Sequence, residues 1–180
     1  MEFVVAGWHP AAGGAAPQLR LDWRRFSYAG KFVMTNTGKA VLRDGPPGDG
    51  EFDEGVLAAV AFNEDRTEPA AAWLRYVTVR EDRRGEGLGP QLCAETTERL
   101  LARGYERIRI AVNNPFAYEA LYKAGFGYTG WTTGVAELIL ERPADRDPSR
   151  YRAGLDRFRD RNLTDAERQF LADRTEPPDW

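Results

Sequence analysis

The stretch "RRGEGLGPQL", residues 83 to 92, places Gly85, Gly87 and Gly89 directly ahead of a helical pattern. Glycine weakens a helix by about 1 kcal/mol relative to alanine, so three glycines at a helix entrance need a reason. Glycines let backbone N–H groups approach a ligand, and a helix N-terminus carries partial positive charge. The stretch therefore predicts a phosphate cradle, to which the two adjacent arginines add charge. A tight strand-to-helix turn without a ligand is the alternative.

The elements on both sides of this stretch predict an α/β fold. Strand candidates at 56–62 and 71–79 precede it, and an amphipathic helix follows from about residue 88 to 103. Alternating apolar residues at 107–112 form the next strand candidate. A helix between two strands favours a βαβ crossover, which would make the strands at 71–79 and 107–112 parallel.

The rest of the chain predicts a smaller set of elements. The apolar pattern indicates a strand at 2–8, an alternating segment at 19–23, a strand–turn–strand over 31–44, a helix at 115–124 and a hairpin over 125–142. Residues 143–180 are highly charged but predict two short helices, the second with a Thr164/Glu167 capping box. We therefore expect a main domain at 1–142 and a C-terminal helical extension at 143–180.

Composition excludes several classes of function. The net charge of −3 gives no general attraction to nucleic acid. No run approaches the ~18 apolar residues of a membrane span, and the acidic start lacks a basic signal region, so we expect a cytoplasmic protein without membrane contact. Cys93 is the only cysteine and is expected to be buried and inert. His9 is the only histidine, and its loop context predicts neither a catalytic base nor a zinc site.

Two segments carry a family resemblance. The segment "YVTVREDRRGEGLGPQL" (76–92) resembles the acetyl-CoA segment of the GNAT acetyltransferase superfamily, whose pattern Arg/Gln-x-x-Gly-x-Gly/Ala is matched from Arg84 to Gly89. The segment "NNPFAYEALYKAGF" (113–126) is similar to the family's Asn-x-x-Ala…Gly-Phe segment. The resemblance implies a mixed, splayed central sheet flanked by helices, with pantetheine in the gap of the sheet. The cofactor-binding residues that it implies are Val77, Thr78, Val79, Arg84, Gly85, Glu86, Gly87, Leu88, Gly89 and Asn114.

The resemblance also implies an activity. It predicts an N-acetyltransferase that moves the acetyl group of acetyl-CoA directly to a primary amine of a small molecule or peptide. A non-catalytic module of the same fold that binds an acyl-CoA for regulation is the alternative. The partners expected are acetyl-CoA and an amine acceptor, and a homodimer is an assembly that the resemblance allows.

Two departures from the family pattern bear on the chemistry. The family's tyrosine acid usually falls where this chain has Leu121, so Tyr122 and then Tyr118 are the candidate acids, with packing aromatics as the alternative. Many relatives carry an acidic residue where this chain has Trp73. Glu64 and Asp65, at the end of the preceding strand, are expected to be solvated turn residues, which leaves the general base unassigned. The aromatic residues at 23, 26, 28 and 32 could line an acceptor pocket, but a core position is favoured.

Overall fold

The computed structural model describes residues 1–8 and 16–179, which divide into a first unit, Met1–Glu106, and a second unit, Arg107–Trp180. Each unit contains both strands and helices, so the α/β class predicted from the sequence is confirmed. His9 lies outside the described residues. No helix in the described ranges is both long enough and apolar enough to cross a membrane.

The first unit is built on four antiparallel strands paired in chain order. They are β1 (Glu2–Gly7), β2 (Gly38–Arg43), β3 (Val56–Glu64) and β4 (Ala71–Val79). Helix α1 (Leu88–Ala102) packs on β3 and β4. Its apolar stripe is buried, as the sequence predicts, and Cys93 lies within it. The predicted burial of Cys93 is confirmed, and this burial raises the pKa of its thiol to about 12.

The segment at 16–37 differs from its prediction. The alternation at 19–23 suggested extended structure and the start of the run at 31–44 predicted a strand, but the structure has turns and a short 3-10 helix, Ala29–Lys31; the second strand of that run is observed as β2. Leu19 and Leu21 are nevertheless buried, since they pack with Val41 and Ala59 in a core beneath this segment. The alternation therefore marked Leu19 and Leu21 as buried residues, whereas Trp23 in the same pattern is exposed. It did not mark a strand, because this backbone makes isolated bonds, such as Leu19 N–H to the Phe32 carbonyl at 2.9 Å.

The four aromatic residues of this segment divide into two pairs. Phe26 and Phe32 are in the core, as favoured from the sequence, whereas Trp23 and Tyr28 are exposed.

A buried lysine holds the turn between this segment and β2 in place. Lys39 on β2 donates hydrogen bonds to the carbonyls of Met34 and Thr37, at 2.5 and 2.8 Å, and burial lowers its pKa.

The second unit contains a three-stranded antiparallel arrangement and three helices. In chain order its elements are β5 (Arg107–Val112), α2 (Pro115–Lys123), β6 (Gly127–Thr132), β7 (Leu138–Arg142), α3 (Pro148–Arg159) and α4 (Asp165–Ala172). Strand β7 pairs with both β5 and β6. The two C-terminal helices and the Thr164/Glu167 capping box are confirmed. Helix α3 packs on β6 and α4 packs on α2, so these helices contribute to the second unit's core.

Candidate functional site

The glycine turn, residues 84–89, joins β4 to α1 within the first unit. Gly85 and Gly87 have φ values of +83° and +78°, a region that side-chain-bearing residues rarely adopt. A Cβ atom at either position would meet nothing within 4 Å, so the backbone conformation and not crowding requires glycine there. Gly89 is different, because it has helical geometry and its Cβ would make an ordinary contact, 3.5 Å from Val79 Cγ2.

The turn leaves backbone donors at the start of α1. Gly87 is the N-cap residue and has no side chain to cap the helix. The Gln91 N–H donates to the Gly87 carbonyl at 3.2 Å, and the amides before it have no acceptor inside the helix. Since Pro90 has no N–H, the donors of the first turn are those of Leu88 and Gly89. Such a helix end is suited to an anion.

Arginines surround the turn, but carboxylates neutralise part of their charge. Arg83 pairs with Glu86 at 2.8 Å, and Arg80 pairs with Asp82 at 2.6 Å. The arginine partners hold the pKa values of both carboxyl groups below their usual range. Arg84 has no carboxylate partner among the described residues; its guanidinium donates to the Ser27 hydroxyl at 3.1 Å and to the Val79 carbonyl at 3.4 Å.

The last residues of β4 present backbone groups on the edge that faces away from β3. The Arg80 N–H donates to the Leu57 carbonyl at 2.8 Å, and backbone groups alternate in direction along an antiparallel strand. By this alternation Thr78 also points its backbone to β3, whereas Val77 and Val79 point theirs away from it. The Thr78 hydroxyl is buried and forms no hydrogen bond within the described chain.

A β-bulge interrupts β4 just before these residues. Ala61 pairs with Tyr76 and Phe62 with Leu74, so Arg75 is the extra residue. Bulges redirect side chains and are frequent near active sites. No glycine or proline near Arg75 indicates this bulge, so it was not predicted from the sequence. The Arg75 guanidinium lies 4.8 Å from the centre of the Trp73 ring and donates to Asn63 Oδ1 at 2.8 Å.

The two carboxylates at the end of β3, Glu64 and Asp65, are both engaged. The Trp73 indole N–H donates to Asp65 at 2.6 Å, and backbone N–H groups of Thr67 and Glu68 donate to the same carboxylate at 2.9 and 3.1 Å. These bonds lower the pKa of Asp65 to about 2, led by the Trp73 bond. A carboxyl group so acidic is a poor proton acceptor near neutral pH. Glu64 accepts a hydrogen bond from the Tyr105 hydroxyl at 3.4 Å.

In the second unit, Asn114 begins α2 and caps it. Its side-chain oxygen accepts a hydrogen bond from the Ala117 N–H at 2.9 Å, and Pro115 occupies the first helical position. The family resemblance implies that Asn114 also binds the cofactor. Its amide oxygen already caps α2.

The two candidate tyrosines of α2 occupy different environments. The Tyr118 hydroxyl is buried and donates to the Tyr151 carbonyl at 3.0 Å. Burial also raises its pKa, and a tyrosine held in this way is unsuited to giving up a proton. Tyr122 is also buried, with its ring 4.5 Å from that of Tyr151 and 3.9 Å from the guanidinium carbon of Arg146. Leu121, at the family's usual tyrosine position, is buried.

Comparison with known proteins identifies the family. The model of the acetyltransferase (GNAT) family matches residues 21–128, more than half of the chain, so the chain belongs to this family. This range includes the glycine turn and all of α2. A search of the curated proteins found no match.

Solved structures similar to this chain include several acetyltransferases. Nourseothricin acetyltransferase is 21% identical with a TM-score of 0.48, over 61% of this chain and 66% of that one, slightly under two thirds of its length. An N-acetyltransferase from Staphylococcus aureus Mu50 is 18% identical with a TM-score of 0.48, over 62% of this chain and 68% of that one. A GCN5-related N-acetyltransferase from Kribbella flavida is 24% identical with a TM-score of 0.46, over 60% of this chain and 68% of that one.

Proposed function

We propose that the protein is an acetyl-CoA-dependent N-acetyltransferase that acts on a primary amine of a small molecule or peptide. The observation that carries this proposal is the glycine turn. In a chain of the GNAT family, Gly85 and Gly87 adopt left-handed backbone conformations at the entrance to α1. Structures similar to this chain include a Bacillus subtilis acetyltransferase in complex with CoA and a Sinorhizobium meliloti phosphinothricin acetyltransferase in complex with acetyl-CoA.

The glycine turn would bind the pyrophosphate of acetyl-CoA. Amides at the start of α1 would donate to phosphate oxygens, and the helix N-terminus would add its partial positive charge. Arg84 is the arginine best placed to help, because its guanidinium is bound only to neutral acceptors in the described chain. The outward-pointing backbone of Val77 and Val79 would hydrogen-bond the pantetheine arm, with the buried Thr78 between them.

Direct transfer needs three contributions from the chain. The acceptor amine must be neutral, so a base must take its proton. The backbone N–H of Val77 would donate to the oxyanion that forms when the amine nitrogen bonds to the thioester carbon. The C–S bond then breaks, and Tyr122 would protonate the departing thiolate of CoA. Tyr118 is disfavoured for this step because its proton is already donated to a core carbonyl. Asp65 is disfavoured as the base because its pKa is about 2.

A non-catalytic acyl-CoA-binding module is the second candidate function. The specific observation in its favour is that this chain has Leu121 where the family usually has its tyrosine acid, and Trp73 where many relatives have an acidic residue. Such a protein would keep the glycine turn and bind the nucleotide, but it would not release CoA when amines are supplied.

The test is a thermal melt with acetyl-CoA on wild type, Gly87→Asp and a matched control, Gly104→Asp. Both glycines have a positive φ with open space around the Cβ position, but Gly104 follows the C-terminal end of the same helix. A ligand at about 100 times its Kd stabilises by about 2.7 kcal/mol, which is about 5–11 °C in Tm at this size. We expect this shift in wild type and in Gly104→Asp, and its loss in folded Gly87→Asp.

Turnover then separates the two candidates. Release of CoA with any amine of a broad panel supports the transferase. A thermal shift without CoA release supports the binding module. If millimolar acetyl-CoA gives no thermal shift in wild type, the glycine turn is structural and both candidates are wrong.

A further inference from the structure

A cavity of about 260 Å³ lies within the second unit, beside strand β6 and against the chain that follows β7. The residues that line it include Tyr128, Trp131, Glu141, Asp145 and Arg150. None of these residues has a role in the proposed acetyl transfer. The volume is slightly below the ~300 Å³ of the smallest typical ligand pockets, which suits a single small molecule.

Irregular pairing between β6 and β7 shapes this cavity. Tyr128 pairs with Leu140 and Thr132 with Leu138, so three residues of β6 face one residue of β7. At this irregularity the Thr129 hydroxyl forms hydrogen bonds with both strands. It donates to the Ile139 carbonyl at 2.9 Å and accepts from the Trp131 N–H at 3.1 Å. The bulge leaves the Trp131 side chain 60% exposed at the rim of the cavity.

A glycine brings the opposite wall close. A Cβ atom on Gly127 would lie 2.8 Å from the Cβ of Ala144, so only glycine lets the segment after β7 pass directly over the strand. That segment carries Asp145, and α3 begins three residues later with Arg150 in its first turn. The two charged side chains thus come from one short connection.

The charges that remain in the cavity are one of each sign. The Glu141 carboxylate is neutralised by Arg109, whose Nε lies 2.8 Å away. Neither Asp145 nor Arg150 forms an ion pair within residues 1–8 and 16–179. Arg150 also contributes to the lowered pKa of Asp147, whose carboxylate is held mainly by Ser149. A ligand that satisfies the cavity would therefore offer an ammonium to Asp145, a carboxylate to Arg150 and an apolar face to Trp131.

We propose that this cavity is a binding site for a free α-amino acid with an aromatic side chain. The ammonium and carboxylate of such a zwitterion match the single carboxylate and single guanidinium, and its ring would stack on the Trp131 indole. A ligand of net charge would leave one of the two protein charges without a partner.

L-Phenylalanine is the probe, and the Trp131 indole N–H signal of the 15N-labelled full chain is the readout. The chain has five tryptophans, so Trp131→Phe assigns the signal by its loss. We expect L-phenylalanine to shift this signal saturably, with a Kd of about 1 mM or tighter. Phenethylamine, which lacks the carboxylate, and 3-phenylpropionate, which lacks the ammonium, should each bind about two- to fivefold more weakly, since each loses one ion pair with an exposed side chain.

Matched variants locate the site. Asp145→Asn and Arg150→Gln should each weaken L-phenylalanine binding about two- to fivefold, as expected for an exposed ion pair. Asp160→Asn and Arg157→Gln change exposed residues of the same charges at the end of α3, outside the cavity, and should leave binding unchanged. All four sites are exposed, and the unshifted indole signals report whether each variant is folded. The proposal is wrong if no saturable shift occurs up to about 10 mM, if the analogues bind as well as the amino acid, or if the cavity variants match their controls.

Discussion

The Tyr118 hydroxyl donates a hydrogen bond to the Tyr151 carbonyl across 3.0 Å, and the two rings stack with their centroids 5.1 Å apart. This contact joins α2 to α3. Helix α2 lies in the segment that resembles the GNAT family, whereas α3 lies beyond the residues that the family model matches. The C-terminal extension therefore completes the aromatic core in which α2 is packed. Its helices belong to the second unit and stabilise it.

Gly154 on α3 is required for this contact, so we predict that Gly154→Ala is destabilising. A Cβ atom there would overlap the Tyr118 hydroxyl and ring, which are buried and cannot withdraw. Overpacking of this kind costs about 1–3 kcal/mol, or about 2–12 °C in Tm at this size. Gly134→Ala is the control, because its Cβ would meet nothing within 4 Å. Equal melting temperatures for the two variants would contradict the packing that we describe.

The two tyrosines of α2 should differ in their effect on turnover. Tyr118→Phe removes a buried hydrogen bond, so we expect a loss of about 0.5–1.5 kcal/mol in stability with kcat within about threefold of wild type. Tyr122→Phe should lower kcat by about a hundredfold or more if its hydroxyl is the general acid. The measurement is CoA release with an amine that wild type acetylates, together with thermal melts of both variants. A large loss of kcat in Tyr118→Phe alone would reverse the assignment.

Local patterns in the sequence predicted the regular elements well. The period of α1, the alternation of β5 and the capping box of α4 each depend on residues close together in the chain, and all three are observed. The strand-like interpretation of residues 19–34 was wrong, because the leucines and phenylalanines there are buried by tertiary contacts with β2 and β3, without strand pairing. Periodicity reports which residues are buried, and it does not report where the backbone hydrogen bonds go.

The candidate site was predictable to a similar extent. Glycine spacing indicated the turn at 84–89 because a positive φ at Gly85 and Gly87 is a local property of the backbone. The bulge at Arg75 and the hydrogen bond from Trp73 to Asp65 depend on how two strands pair, which no short motif encodes. The burial of the Tyr118 hydroxyl depends on a helix that begins thirty residues later in the chain.

The lowered pKa of Asp65 predicts a pH dependence of stability. Because its pKa falls from 3.8 to about 2 on folding, the ionised carboxylate stabilises the folded state above about pH 4, and this contribution is lost as the pH falls towards 2. Asp65→Asn should therefore melt at a lower temperature than wild type near neutral pH, with a gap that narrows between about pH 4 and pH 2. Asp49→Asn, at an exposed loop carboxylate, is the control. A constant gap at all pH values would show that the charge of Asp65 is not what stabilises the turn.

The ion pair between Arg83 and Glu86 predicts an unusual gain of affinity. Glu86 places a carboxylate inside the glycine turn and holds the Arg83 guanidinium at 2.8 Å, so an incoming phosphate would meet a negative charge and an arginine already paired. Glu86→Gln removes that charge and frees Arg83. We expect acetyl-CoA to bind about two- to fivefold more tightly, equivalent to the ~0.4–1 kcal/mol of an exposed ion pair.

Calorimetric titration of acetyl-CoA at two salt concentrations measures this effect. The gain in affinity should shrink as the salt concentration is raised, because dissolved ions screen exposed charges, with a screening length of about 10 Å at 0.1 M. Glu98→Gln changes an exposed carboxylate on the same helix, well past its first turn, and should leave the affinity unchanged. Weaker binding by Glu86→Gln would mean that the ion pair orders the glycine turn, and that the loss of this order outweighs the removal of the negative charge.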